Sequence, residues 1–383
     1  MHPRKILLIF GTRPEAIKMA PLFYSLRDES DFNAEICVTA QHREMLDQVL
    51  NIFEIKPKWD LDLMEDNQDS VTLTSKIFNK LSKVLDHYNP DMVLVHGDTI
   101  TTFAAASVCF LKNIQICHIE AGLRTGNILS PYPEEFNRRV TSIVASWHFA
   151  PTYESKSNLI KEGVSEERIF VTGNTVIDSL YMTLKNMKAN KAKKKNVIEA
   201  LDAQLRFSWQ SEKFVLITGH RRENFGRGLK EICEAILYLA ESNKNIHFVY
   251  PAHFNPNVLQ PVKAVLSNTC NIHIINPQEY ESFLCLLDSC YLVLTDSGGI
   301  QEEAPSLGKP VILMRDNTER PEALESGTVM LAGANKDKII DSVSSVISDK
   351  KIYKKMSLAH NPYGDGSACE KIVRQLKKIM NEK

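Results

Sequence analysis

Short apolar runs alternate with amphipathic stretches of helical length along almost the whole chain, and that rhythm constrains the fold more than any other feature. Runs at 5–10, 35–39, 92–96, 115–119, 147–150 and 169–171 predict strands in the first half. Stretches at 15–27, 43–51, 71–87, 101–111 and 134–146 predict the helices between them. The second half repeats the pattern, with strands predicted at 214–218, 247–250, 272–275, 292–295 and 311–314. Strands this apolar, separated by helices, predict parallel sheets covered on both faces. At 383 residues the chain is long enough for two such domains. An α/β protein of two Rossmann-like, doubly wound domains is therefore expected, with a seam near Gly173-Asn174.

Composition narrows the class. Hydrophobic residues make up 43%, enough for sizeable cores. Lys+Arg 46 against Asp+Glu 47 leaves a net charge of −1, which disfavours a general electrostatic grip on nucleic acid or an anionic membrane. The apolar run 6–10 is strand-sized, shorter than the core of a secretory signal, and no later run has the length of a membrane span, so a cytoplasmic protein is expected. Eight cysteines are scattered without a Cys-x-x-Cys pair; buried free thiols are expected, with no disulfide framework and no metal site. The lysines at 185, 188, 191 and 193–195 read as a solvated helix face.

Sheets of this kind take ligands where loops leave the carboxyl ends of their strands. After the first strand come Thr12-Arg-Pro-Glu15 and Lys18. Thr12 and Glu15 have capping-box spacing, a plain helix start, while Arg13 and Lys18 add two cations near a positive helix end and suit an anionic ligand. His96-Gly-Asp-Thr99 and Glu120-Ala-Gly-Leu-Arg-Thr125 each place a carboxylate, Asp98 and Glu120, at a strand end; Ser130-Pro-Tyr-Pro-Glu-Glu135 brings Glu134 to open a helix. Any one of them is explained by a helix cap or an ion pair. Three on successive loops at one rim point to general acid/base work.

In the second half, Thr218-Gly-His-Arg-Arg-Glu-Asn224 offers His220 and two arginines to a phosphate, or else forms a glycine-rich turn with solvated charge. Asp296-Ser-Gly-Gly-Ile-Gln-Glu-Glu303 is sharper. Ser297, Gly298 and Gly299 allow close backbone approach, the following helix start suits a diphosphate, and Glu303 suits ribose hydroxyls, against an ordinary strand–turn–helix. Arg320 is a further candidate cation. Gly-x-Gly-x-x-Gly and the P-loop are missing, which disfavours a nicotinamide cofactor and P-loop phosphotransfer. Tyr181 with Lys185 matches the short-chain dehydrogenase pair, but no glycine fingerprint accompanies it. His118 with Glu120 matches the zinc-deaminase spacing without the partner cysteines.

As a set, GTRPEAIKMAPL, TAQHREMLDQVL, LVHGDTITT, HIEAGLRTGN, SPYPEEFNRR, TGNTVIDSL, TGHRRENFGRG, DSGGIQEEAPSLGKPV, RDNTERPEA and NPYGDG resemble the non-hydrolysing bacterial UDP-N-acetylglucosamine 2-epimerases, in order and over nearly the whole chain. The resemblance implies a glycosyltransferase-like GT-B architecture in which two domains face each other across a cleft. The first domain would be 1–172 with 364–383, the C-terminal helix crossing back to it, and the second, UDP-binding, would be 173–363. It implies reversible epimerisation at carbon 2 of UDP-N-acetylglucosamine to UDP-N-acetylmannosamine, without a cofactor, by a cytoplasmic homodimer supplying surface polysaccharide synthesis. UDP would be eliminated to leave 2-acetamidoglucal and then re-added. Asp98, Glu120 and Glu134 match the family's catalytic carboxylates, the base and the acid among them left open, and His220 joins them as catalytic. Arg13, His220, Ser297, Gly298, Gly299 and Arg320 would hold the diphosphate, Lys18 would bind with them, Glu303 would take the ribose, and Gln278 and Phe283 would frame the uracil. Gln41, Arg221 and His253 match a second, activating substrate site, from which Glu44 and Asn67 depart. A hydrolysing epimerase or a GT-B UDP-sugar glycosyltransferase is the alternative.

Overall fold

The computed structural model describes residues 2–41, 43–65, 68–219, 221 and 224–381, and the chain divides into two compact units, Met1–Met182 with Tyr363–Lys383, and Thr183–Pro362. In the first unit, β1 (Arg4–Phe10), β2 (Phe32–Val38), β3 (Trp59–Asp60), β4 (Met92–His96), β5 (Gln115–Ile119), β6 (Trp147–Ala150) and β7 (Ile169–Val171) form one sheet. Their spatial order is β3-β2-β1-β4-β5-β6-β7, and every neighbouring pair is parallel. Ile6 to Phe10 are fully buried, as a strand covered on both faces must be.

The second unit carries β8 (Phe214–Thr218), β9 (His247–Pro251), β10 (Ile272–Ile275), β11 (Leu292–Thr295), β12 (Val311–Leu313) and β13 (Val329–Leu331), again all parallel. The order is β10-β9-β8-β11-β12-β13. Winding direction reverses between β1 and β4 in the first sheet and between β8 and β11 in the second. Those two switch points are where open α/β sheets form a crevice for ligands.

β3 and β13 were not expected. They are two and three residues long and lie at the sheet edges. The chain passes between the units inside the helix Thr175–Ala189, beyond the Gly173-Asn174 loop. The reason is local: Ser179 Oγ donates to the carbonyl of Ile17, and Asp178 accepts the backbone N–H groups of Ala368 (3.2 Å) and Cys369 (2.9 Å). That carboxylate caps the C-terminal helix Ala368–Asn381, whose Ile372, Val373, Leu376 and Ile379 are buried in the first unit, so the crossing-back helix is present. Asp178→Ala is expected to cost about 0.5–2 kcal/mol and Asp178→Asn less, read as a fall in the urea midpoint at constant slope.

The lysine-rich stretch ends one helix and opens the next, Lys191–Asp202; its lysines are exposed except Lys193, which pairs with Glu281 at 2.8 Å. All eight cysteines are free. Cys37, Cys109, Cys117, Cys233, Cys290 and Cys369 are buried, Cys285 is half-buried, and Cys270 lies exposed, against the expectation of uniform burial. Burial pushes the Cys37 thiol up to about 12, so it is inert at neutral pH. No described helix is long and apolar enough to cross a membrane, and no described cluster has the makings of a metal site.

Candidate active site

Glu120 directly follows β5 in the left-handed region, φ +62°, a conformation that costs a non-glycine residue of order 1–3 kcal/mol and persists where the surroundings impose it. The imposing groups are Lys18 Nζ, which forms a buried ion pair with its carboxylate, and Asn174 Nδ2, which donates to Glu120 Oε2 at 2.6 Å. Lys18 comes from the helix Arg13–Arg27 after β1, and Asn174 from the loop after β7. Strand ends on both sides of β5 thus converge on one carboxylate.

Asp98 follows β4. Its side chain pairs with Arg138 Nη2, and its backbone carbonyl accepts from Asn137 Nδ2 at 2.9 Å. A second arm of Arg138 reaches the fully buried Glu135 at 3.2 Å. Both partners lie on the helix Glu134–Val144, which Glu134 opens; Glu134 Oε2 is buried with no hydrogen-bond partner among the described residues. A Cβ added at Gly97 would lie 3.5 Å from Glu120 Oε1, so Glu120 abuts the residue preceding Asp98. The three carboxylates therefore share one rim of the first sheet. Glu120 is the most enclosed of the ion-paired two, with 8% of its side chain exposed against 26% for Asp98.

Three imidazoles, His96, His118 and His148, are buried on the neighbouring strands β4, β5 and β6. Burial lowers His96 to about 4, His118 to about 3 and His148 to about 4. His96 Nε2 stands 3.9 Å from Glu120 Oε2, and His118 Nε2–H donates to the Gly97 carbonyl at 2.7 Å. All are neutral near pH 7. An unfolded histidine binds its proton near 6.5, so the unfolded chain takes up more protons between that pH and about 3–4. The stability this burial confers is complete above pH 6.5 and is lost as pH falls, by about 1.4 kcal/mol per pH unit for each imidazole. Urea midpoints are expected to drop steeply from pH 7 to pH 5; a flat profile would show that these rings titrate normally in the folded protein.

In the second unit, Arg320 lies against the glycine turn after β11. A Cβ at Gly298 would come 2.7 Å from Arg320 Nη1. The guanidinium is aimed by two carboxylates, Glu302 at 2.5 Å on Nε and Glu319 at 2.5 Å on Nη1. Glu319 also accepts from Arg315 at 2.8 Å. Burial pushes the Glu319 carboxyl up, but Arg320, Arg315 and Arg221 outweigh it and hold the group at about 2. The Ser297 N–H is turned back onto Thr295 Oγ1 at 2.9 Å, shaping the turn. Glu303, buried, accepts from Tyr280 Oη at 2.8 Å. Gln278 Nε2 donates to the Asn276 carbonyl at 2.6 Å, and Phe283 is half-buried on the helix Tyr280–Ser289. Asp296 Oδ2 accepts from Arg221 N at 2.9 Å and Asn224 Nδ2 at 3.3 Å, tying the loop after β8 to the loop after β11.

The first unit thus gathers Lys18, Asp98, Glu120 and Glu134, with Arg13 opening the helix that carries Lys18. The second gathers Ser297, Gly298, Gly299, Glu303 and Arg320, with Gln278 and Phe283 in the segment that also supplies Tyr280. His220 and Asn67 lie outside the described residues. Of the second-site candidates, Gln41 accepts from Thr101 Oγ1 at 3.2 Å in the first unit, while Arg221 and His253 lie in the second; His253 Nδ1 accepts from Asn255 N at 3.1 Å. Sequence reasoning gave no role to Asn174, Arg138, Glu302, Glu319 or Tyr280. Arg138 had a signal, four residues after Glu134 on the same helix face. Glu302 had none, because a buried carboxylate inside a helix reads only as polar.

A family model described as UDP-N-acetylglucosamine 2-epimerase matches residues 24–377. The UDP-N-acetylglucosamine 2-epimerase of Campylobacter jejuni is 52% identical over 378 residues, covering 99% of this chain and 98% of that protein. The enzyme of the same name from Escherichia coli K12 is 50% identical, covering 97% and 98%. Among solved structures, the Neisseria meningitidis enzyme bound to UDP-GlcNAc superposes with a TM-score of 0.91 at 50% identity, covering 98% of this chain and all of that one. The Methanocaldococcus jannaschii enzyme in complex with UDP-GlcNAc and UDP gives a TM-score of 0.82 at 35% identity, covering 98% and 99%.

Proposed function

The chain belongs to the UDP-N-acetylglucosamine 2-epimerase family, and from that membership we propose that it interconverts UDP-N-acetylglucosamine and UDP-N-acetylmannosamine by eliminating and re-adding UDP. What supports the reading is that three carboxylates share one rim of the first sheet and that two of them, Asp98 and Glu120, are held in place by cationic partners from separate elements.

The chemistry explains the need for them. Carbon 2 bears an acetamido group and no neighbouring carbonyl, so its hydrogen is hardly acidic in the ground state. As the bond from carbon 1 to the diphosphate oxygen breaks, its electron pair leaves with UDP and carbon 1 becomes electron-poor. The adjacent C–H bond then weakens; a carboxylate takes the proton, and the C–H pair becomes the double bond of 2-acetamidoglucal. Return of a proton to the opposite face of carbon 2, with UDP re-adding to carbon 1, inverts that centre alone. Negative charge grows on the diphosphate during departure, which is where preorganised cations act most strongly. We assign that work to Arg13, Lys18, His220, Arg320 and the Ser297–Gly299 turn, ribose binding to Glu303, and uracil contacts to Gln278 and Phe283. Asp98, Glu120 and Glu134 supply the base and the acid.

A cytoplasmic homodimer feeding surface polysaccharide synthesis, with an activating second substrate molecule at Gln41, Arg221 and His253, completes the proposal. The test is incubation of UDP-N-acetylglucosamine with the enzyme in deuterated water, followed by proton NMR. Both isomers are expected to carry solvent deuterium at carbon 2 with no net release of UDP. UDP accumulating in step with epimerised sugar would instead mark a hydrolysing enzyme, and epimerisation without deuterium would overturn the elimination route.

A further inference from the structure

Glu15 reads from sequence as half of a capping box, and part of its geometry fits. Its Oε2 accepts the backbone N–H groups of Gly11 (3.0 Å) and Thr12 (2.8 Å) and the Thr12 hydroxyl (2.8 Å). A helix start needs nothing more. Yet Oε1 accepts the hydroxyl of Thr99 at 2.6 Å and faces that of Thr102 at 3.1 Å, residues 84 and 87 positions further along the chain. Thr99, which directly follows Asp98, caps the helix Ile100–Leu111 after β4, and Thr102 lies in that helix's first turn. The carboxylate is fully enclosed, with 2% of the residue exposed, and burial raises its pKa. Placing a carboxylate there is costly unless its oxygens are fully engaged, and neutral partners would close a helix end more cheaply.

The location explains the expense. Glu15 stands at the switch point between β1 and β4, where the Arg13 loop and the Asp98 loop part company. On its far side the Asp98 loop is held by Asn137 and Arg138. Asp296 occupies the corresponding place in the second sheet, joining the loops after β8 and β11. We infer that Glu15 is a positioning residue for the reaction, a buried clamp that fixes the Asp98 loop against the Arg13 loop through Thr99 and Thr102. The inference rests on the proposed epimerisation and adds to it a residue that need not touch substrate.

Carbon-2 deuterium exchange, KM for UDP-N-acetylglucosamine and UDP affinity are measured for the wild type, Glu15→Gln, Thr99→Val and Thr99→Ser. Glutamine keeps the shape but offers a single acceptor oxygen, and valine removes the hydroxyl. Both are expected to lower the exchange rate by on the order of 10²-fold, the size of effect a misplacement of about 1 Å brings. UDP affinity, assigned chiefly to second-unit residues, is expected to hold within about threefold, and Thr99→Ser to restore the rate by keeping the donor. If Glu15→Gln does not fold, the Thr99 pair decides. A Thr99→Val enzyme as fast as Thr99→Ser, or a rate loss matched by equal loss of UDP affinity, overturns the clamp. A wild type inert toward UDP-N-acetylglucosamine overturns the proposed reaction and the clamp together, whereas an active wild type equalled by Glu15→Gln overturns the clamp alone.

Discussion

Glu120→Gln is expected to slow deuterium incorporation at carbon 2 by about 10²–10⁴-fold, the contribution of a positioned general acid or base. Glutamine fills the same space but neither accepts nor returns a proton at neutral pH. The substitution also strips Lys18 of a buried counter-ion, since both side chains are at most 10% exposed. Removing one partner of such a pair destabilises by about 3–5 kcal/mol. Rate is therefore to be measured where circular dichroism and UDP binding show a folded enzyme. Asp98→Asn and Glu134→Gln are expected to fall in the same range with smaller losses of stability; Asp98 is partly exposed, and Glu134 Oε2 has no described partner to strand. A variant that exchanges at the wild-type rate would remove its residue from proton transfer.

A comparable stability effect, of purely steric origin, lies two residues further on. Gly122 has φ +93°, and a Cβ there would stand 2.2 Å from the backbone carbonyl oxygen of Ser155. Ser155 is in the first turn of the helix Tyr153–Lys161, held by Thr152 Oγ1 at 3.1 Å, and Asn158 of that helix donates to the Gly122 carbonyl at 3.1 Å. The clash falls on backbone that cannot swing aside. Left-handed conformation costs an L-residue about 1–2 kcal/mol and overpacking about 1–3 kcal/mol more, so Gly122→Ala should lose about 2–5 kcal/mol. Gly126→Ala is the control: φ is +77°, but nothing lies within 4 Å of its added Cβ, so only the conformational cost applies. Thermal or urea midpoints compare the two. Equal shifts would refute the steric argument.

Most of the strands and helices could be read from the sequence because burial on both faces leaves an unbroken apolar run, and the runs at 92–96, 115–119 and 214–218 match β4, β5 and β8 residue for residue. Edge strands β3 and β13 escaped, although β7, also three residues long and at an edge, could be read from its Ile-Phe-Val run. Asp98, Glu120 and Ser297 were visible for a related reason: each lies within two residues of a strand end.

Chain order alone determined which residues stand at the strand ends, and through the run of matching motifs it determined the family. Only the tertiary structure decided which of them meet. Glu120 takes Lys18 from 102 positions away, and Glu15 reaches Thr99 and Thr102 across the switch point. Hydrophobic periodicity records how deeply a position is buried. It carries no record of which distant donor will face a buried carboxylate, because that pairing exists only once β1, β4 and β5 lie side by side.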